Sequence, residues 1–461
     1  MLCAKFLFCA RRWPTSQLGS FISTALLVFF LRPGVILGRA QERSAPDIIP
    51  GPILSDRGVN ESPTVERLRG LEPTDPNRYE LALALIDEGS ENSSSGRQQA
   101  AEAAYEEALD ILLDISNRHP EFGSADFRTD TRSLLWDLTD LYRAAQRLDE
   151  AERAYNKVLT AYRELAASHP NTYRAELSLI LNDSGRFYRE TKRMTEAEEH
   201  LQEALAIQRE LTTSEPGIFL TEVATTLTDL AQVYLDATRR ADAEQTLLEA
   251  LAIGRKLLED NPTDSLAQSR IAIPLNNLAH IYIEQGRAQE AETVLLEALS
   301  VRTQQNSASR GRQLASIALI HRNLANLYLE TDREEDAEKA YLQGLAILRE
   351  PGRAPFSERG PRLVDILLGL SGLYLKSARF EDATPLVTEA VEVSRQLWQE
   401  NPDLHGERLA WSLMQEALLI HRQDRGLACS KVEEALAISK DRDLSNRIAN
   451  LLATCSSPQS P

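Results

Sequence analysis

Cysteine is scarce in this chain: four in 461 residues, at Cys3, Cys9, Cys429 and Cys455. That excludes a disulfide-dense mini-domain, and without a paired CxxC the zinc and dithiol redox frameworks are excluded too. There is no Gly-rich phosphate loop, no HExxH and no nucleophile elbow, and the seven histidines are scattered. Phosphoryl transfer, zinc proteolysis and α/β-hydrolase chemistry therefore have no motif to carry them. Positive charge is also short, 51 Lys and Arg against 69 Asp and Glu, for a net charge of −18. Such a field repels phosphate backbones and anionic lipid heads, so nucleic acid is no partner. No catalytic residue, cofactor site or metal site is expected. His280 and His321 fall on first helices of adjacent repeats, and surface or interface histidines explain them better than a metal does.

The apolar runs are short as well. Lys5, Arg11 and Arg12 precede an apolar run from Phe21 to Leu31, which Arg32-Pro33 ends and Gly38-Arg39-Ala40 follows. Spanning a bilayer takes roughly 20 apolar residues, so residues 1–40 read as an export signal cut after Ala40. An uncleaved segment 21–31 serving as an anchor, or a misassigned start, stays open. The membrane is a partner only if this segment is retained. Residues 1–40 hold five basic and no acidic residues, so the exported part is more acidic than the whole. Cys429 and Cys455 then remain, free to pair or not in an oxidising compartment. Residues 41–78, with Pro46, Pro50, Pro52, Pro63, Pro73 and Pro76, read as an extended linker.

What is present in abundance is periodicity. A tyrosine recurs at Tyr142, Tyr188, Tyr234, Tyr282, Tyr328 and Tyr374, in steps of 46, 46, 48, 46 and 46 residues. Nine places after each comes Ala151, Ala197, Ala243, Ala291, Ala337 or Ala383, and seventeen after it an aliphatic, from Leu159 to Val391. Apolar residues at i, i+3, i+4 and i+7, such as Leu275, Leu278, Ala279 and Tyr282, mark an amphipathic first helix. A turn such as Gln285-Gly286-Arg287 leads into a longer second helix. Antiparallel helices approach closely only where a side chain is small, which is the role of the alanine. Pro120, Pro170, Pro216, Pro262 and Pro402 read as stops of the second helices. A unit of this size cannot bury its apolar face alone, so copies stack into a solenoid.

The pattern resembles the tetratricopeptide repeat in its longer, kinesin light chain variety. That family's order of large, large, small, large, small, large and small residues is met in the fourth copy by Leu275, Leu278, Ala279, Tyr282, Ala291, Leu295 and Ala298. The resemblance implies an all-α, right-handed α-solenoid over residues 79–440: six clear copies, plus a degenerate one at each end. The first end copy is Tyr79 to His119, with a Ser-rich loop from Ser90 to Gly96, and the last is Leu409 to Lys440. Residues 441–461 would hold a cap helix from Leu444 to Ala453 and a tail. Pro385 should kink or shorten its helix, and Pro351, Pro355 and Pro361 should make a loop that is either a hinge or a longer connection.

In the family, first helices line the concave side and bind extended peptides. The inward position five before the tyrosine reads Asp137, Asp183, Asp229, Asn277 and Asn323, then lapses to Gly369. Neighbouring inward positions add Asp140, Asn182, Gln232, Asp236, Asn276, His280, Glu284, Asn326 and Glu330. Carboxylates attract Lys and Arg and amides hold peptide bonds, so the resemblance implies a groove for an extended, possibly basic peptide. A solvated polar face explains the same residues without a ligand. The family's carboxylate clamp needs lysine nine before the tyrosine, where this chain has Ser133, Leu179, Thr225, Ile273 and Leu319. Two other readings stand beside the scaffold: a structural protein self-associating through its end copies and Trp398 or Trp411, or a regulatory module acting with a separately encoded partner.

Overall fold

The computed structural model describes residues 65–449, apart from 123, 215, 262–263, 304–309, 350–355, 422 and 443. The expected signal peptide, most of the linker, Pro262, Pro351, Pro355, Cys455 and the tail lie outside these residues. Every described element is a helix, and none of them is long and apolar enough to cross a membrane. A short α1 (Val65–Arg69) precedes eight antiparallel pairs: α2 (Asp75–Ser94) with α3 (Gln98–Arg118), α4 (Ala125–Ala144) with α5 (Leu148–Ser168), α6 (Pro170–Glu190) with α7 (Met194–Ser214), and α8 (Pro216–Asp236) with α9 (Arg240–Asp260). Then follow α10 (Ser265–Glu284) with α11 (Ala288–Thr303), α12 (Arg310–Glu330) with α13 (Glu334–Arg349), α14 (Phe356–Lys376) with α15 (Phe380–Glu400), and α16 (Pro402–Ile420) with α17 (Arg425–Ile438). The described residues fall into two compact units, 43–274 and 275–461, whose boundary lies at Pro274 within α10.

The tyrosine ruler has a structural cause. In each clear copy the tyrosine carbonyl accepts a hydrogen bond from the backbone N–H of an arginine five residues on, as from Arg147 to Tyr142 at 2.8 Å and from Arg379 to Tyr374 at 2.8 Å. The residue immediately before the arginine is left-handed, and this pair of features is the Schellman ending of a helix. The arginine carbonyl then receives the N–H of the alanine nine places after the tyrosine, starting the second helix: Ala243 to Arg239 at 3.1 Å, Ala337 to Arg333 at 3.0 Å. All six alanines are fully buried, as the close approach of the two helices requires.

The arginine side chain folds back over the tyrosine ring, 4.1 Å from its centroid for Arg287 and Arg379 and 4.9 Å for Arg147. It also reaches the second helix of the preceding copy: Arg193 to Glu152 at 2.6 Å, Arg239 to Glu198 at 2.6 Å, Arg333 to Glu292 at 2.8 Å and Arg379 to Glu338 at 2.9 Å. The tyrosine hydroxyl donates to the same glutamate in three of these copies, Tyr188 to Glu152, Tyr328 to Glu292 and Tyr374 to Glu338. One cation, stacked and doubly hydrogen-bonded, thus joins turn, ring and neighbouring copy.

Only one of the six left-handed positions is glycine, Gly286; the others are Gln146, Lys192, Thr238, Asp332 and Ala378, with φ between 55° and 66°. A β-branched residue is the least suited to this region. Thr238→Gly, at an exposed site, should therefore raise stability by about 1 kcal/mol, read as an increased urea midpoint at unchanged slope.

The second helices α3, α5, α7 and α15 end at Arg118, Ser168, Ser214 and Glu400, two places before Pro120, Pro170, Pro216 and Pro402, so these prolines mark the stops as expected. Pro170, Pro216 and Pro402 are the first residues of α6, α8 and α16, where a missing N–H is harmless and φ is already helical. Pro361 sits inside α14 rather than in a loop. Pro385 does not shorten α15, which has the same 21 residues as α3, α5, α7 and α9; the ring is exposed, so the carbonyl it strands faces water. Ser90 to Ser94 continue α2, leaving a short turn at Ser95 to Arg97 in place of a Ser-rich loop. Val65 to Arg69 and Asp75 to Arg78 are helical within the stretch read as extended. Glu334 and Glu335 open α13, where the helix dipole favours carboxylates. Leu444 and Ile448 are fully buried in a helical segment at the end of the last copy. Cys429 is disulfide-bonded.

Candidate peptide-binding face

The eleven residues expected to line a groove all lie on first helices, but they do not share one environment. Asp137 and Asp140 on α4 and His280 on α10 are exposed, and Gln232 and Asn277 are half-buried. The remainder are engaged by the protein itself. Asp183 is 6% exposed and accepts from Arg132 Nε at 2.8 Å. Asp229 accepts from Arg186 Nε at 2.7 Å. The buried Asn182 donates to Thr226 Oγ1 at 3.0 Å, and Asn323 donates to Asn276 Oδ1 at 2.8 Å. Asn326 accepts from the hydroxyl of the buried Tyr341.

Much of the ladder is therefore glue between adjacent first helices. Its lapse at Gly369 has the same origin, because a Cβ there would stand 2.6 Å from the ring of Tyr341. The arginines that neutralise Asp183 and Asp229 escaped the sequence reading. They sit ten and two places before their tyrosines, so no single register flags them; only a search for basic residues one copy upstream of each ladder acid finds them.

Carboxyls raised by desolvation fall on α4, α6 and α8. Asp137 has its carboxyl pushed up to about 6, first by desolvation and then by Asp140 one turn away. Its neighbours include Tyr105 of α3, whose hydroxyl is pushed up to about 12 by desolvation and by Asp137. Glu176 and Glu222 occupy the position seven before the ladder residue, two helical turns away on the same face. Both are half-buried with carboxyls raised, chiefly by desolvation. Arg132 and Arg128 temper Glu176, and a backbone hydrogen bond tempers Glu222. These are carboxylates whose charged form would gain from a cation.

In the 275–461 unit the same face carries a buried cluster. Asp365, 4% exposed, receives Arg322 Nη1 at 2.8 Å and Arg408 Nε at 3.1 Å. His321 is buried with its imidazole pushed toward neutrality by desolvation, while His280 is exposed with Glu284 at 3.6 Å. No group of His, Cys, Asp and Glu among the described residues is arranged to hold a metal. Trp411 is 9% exposed, which removes it as a self-association contact.

Comparison with known proteins places the architecture. The tetratricopeptide repeat family profile matches residues 176–256 and 270–350. Among solved structures, the apo form of RapI is 13% identical with a TM-score of 0.52, covering 81% of this chain and 97% of that one. BtubC from P. vanneervenii is 20% identical with a TM-score of 0.45, over 54% of this chain and 90% of that one. The kinesin light chain-type repeats of Podosopora anserina are 21% identical with a TM-score of 0.36, over 50% and 98%. At these identities the RapI likeness shows the fold alone. No curated protein matches the sequence. The profile is matched over four consecutive helix pairs, and the same tyrosine-plus-nine turn recurs on either side of them, so residues 176–256 and 270–350 carry tetratricopeptide repeats within a longer run of like helix pairs.

Proposed function

We propose that this protein is an exported, non-enzymatic scaffold that binds an extended basic peptide segment along the first helices of residues 125–236. The observation that carries this reading is the set of raised carboxyls, Asp137, Glu176 and Glu222, on three consecutive first helices. A Lys or Arg from a partner would favour their charged forms. Asp140 and Gln232 add a second carboxylate and an amide on the same helices. Export rests on the N-terminal sequence pattern, and a disulfide at Cys429 suits an oxidising compartment.

The test is capture from native cell-envelope extract with the chain lacking residues 1–40, beside Asp137→Asn/Asp140→Asn. A client retained by the first and lost by the second supports the groove; equal retention by both places binding elsewhere. Asp183 and Asp229 are unsuitable for this test because each ties two helices together. The mass of the protein recovered from the envelope decides export, a chain beginning at Gln41 being the expected product.

Binding should depend on pH with a defined sign. Asp137 is mostly protonated below about 6 and ionised above it, so affinity for a basic peptide should rise about tenfold from pH 5 to pH 7.5, following the ionised fraction. Asp137→Asn should flatten that rise in a titration series. Stability responds oppositely. A carboxyl raised above its unfolded value near 4 holds its proton more tightly in the folded protein, so this group's contribution falls as pH rises from about 4 to 6.

A further inference from the structure

The helix pairs from α4 to α9, and those from α12 to α17, are joined by two charged ties beyond the tyrosine turn. The inner tie runs between first helices: Arg132–Asp183 at 2.8 Å, Arg186–Asp229 at 2.7 Å, Arg322–Asp365 at 2.8 Å and Arg408–Asp365 at 3.1 Å. The outer tie runs between second helices: Arg163–Glu203 at 2.6 Å, Arg209–Glu249 at 2.5 Å, Arg349–Glu389, and Arg395–Glu434 at 2.6 Å. Its arginine falls 21 places after the tyrosine, and in the first three cases its glutamate falls 15 places after the next one.

At these two registers, and among the described residues, the junction of α10–α11 with α12–α13 has neither in charged form. Its outer register holds Thr303 and Gln343, both exposed; Thr303 turns back onto its own helix, donating to the carbonyl of Leu299 at 2.9 Å. Its inner tie is the neutral Asn323–Asn276 hydrogen bond. Leu296 and Leu342, 47% and 45% exposed, take the same register on its two second helices, where the latched copies hold Asn156, Gln202 or Thr388 as well as Leu248. The tyrosine turn remains, with Tyr328 and Arg333 on Glu292.

We infer that this junction is the compliant joint of the 275–461 unit, the place where neighbouring helix pairs separate most readily under thermal motion. Charge-assisted hydrogen bonds are about twice as strong as neutral ones, and here both registers are neutral. The expected groove residues Asn276, Asn277, His280, Asn323 and Asn326 flank the joint. On the proposed peptide-binding reading, opening there would widen the face that meets the ligand; the compliance itself does not depend on that reading.

Hydrogen exchange on the ligand-free full chain tests it. Amides of α11–α13 should exchange faster than those of α14–α17. Raising salt from 50 to 500 mM should accelerate exchange at the α12–α15 and α14–α17 junctions while leaving α11–α13 nearly unchanged. Thr303→Arg/Gln343→Glu supplies the outer tie, and His280→Arg/Asn323→Asp copies Arg186–Asp229. Each pair should slow exchange about two- to fivefold at this junction and not elsewhere. The inference fails if α11–α13 are protected as well as α14–α17 in the natural protein, or if both paired variants leave their exchange unaltered. Peptide affinity does not enter either readout, so a failed groove hypothesis and a failed joint are told apart.

Discussion

Asp365→Ala is expected to lower the stability of the 275–461 unit by about 3–5 kcal/mol. The carboxylate is 4% exposed and divides its oxygens between Arg322 and Arg408, of which Arg408 is 5% exposed. Removing it strips a buried guanidinium of a partner in a place water does not reach, and that penalty exceeds the net worth of the pair. Replacing all three groups should give the opposite outcome. Arg322→Met/Asp365→Leu/Arg408→Met removes charge and partner together, and should be near neutral or stabilising. Urea unfolding followed by circular dichroism measures both variants, and hydrogen exchange should locate the loss in α12, α14 and α16. A loss under about 1 kcal/mol for Asp365→Ala would mean that water screens the cluster as it does a surface pair.

Ala243→Leu should cost about 1–3 kcal/mol. Burying a leucine side chain is worth about 1.5–3 kcal/mol when space exists for it, but Ala243 is fully buried where α8 and α9 approach, among the equally inaccessible Ala231 and Leu247. The added carbons can be housed only by forcing the helices apart. That movement would also pull Arg239 from its seat 4.3 Å above Tyr234 and from Glu198 of the preceding copy. Leu248→Ala provides the control: Leu248 is 46% exposed on the outer side of the same helix, and its loss should change stability by less than about 0.5 kcal/mol. Equal effects of the two substitutions would show that helix propensity, not packing, governs this position.

The repeat was open to reading because a stacked array writes the same local demands at a fixed interval. Tyr142 to Tyr374, the alanines nine places later and the apolar stripe each answer a need that recurs in every copy, so periodicity alone exposes them. The arginine five places after each tyrosine recurs as strictly, yet its role was hidden. Its carbonyl and N–H serve the backbone while its side chain serves a ring and the previous copy, and neither is visible as hydrophobic pattern. The prolines marked the ends of the second helices, but their other role was hidden for a related reason: the residue that cannot continue one helix is also well suited to begin the next, and sequence does not say which side of the boundary it occupies.

The candidate face was less accessible. Position five before the tyrosine was placed correctly on the first helices, but a short acidic residue there serves a ligand or a neighbour with equal ease. Asp137 stays open because Ser133 and Asp140, not an arginine, surround it on its own helix, whereas Asp183 is closed by Arg132 from 51 residues away. Local propensity and period determine the helices, their turns and the register of the buried alanines, since these depend on residues within one or two copies. Which carboxylates remain free, which are neutralised and which junction lacks its charged ties were decided only by tertiary structure. Electrostatic energy depends on distances between side chains on different helices, and those distances exist only once the copies have stacked.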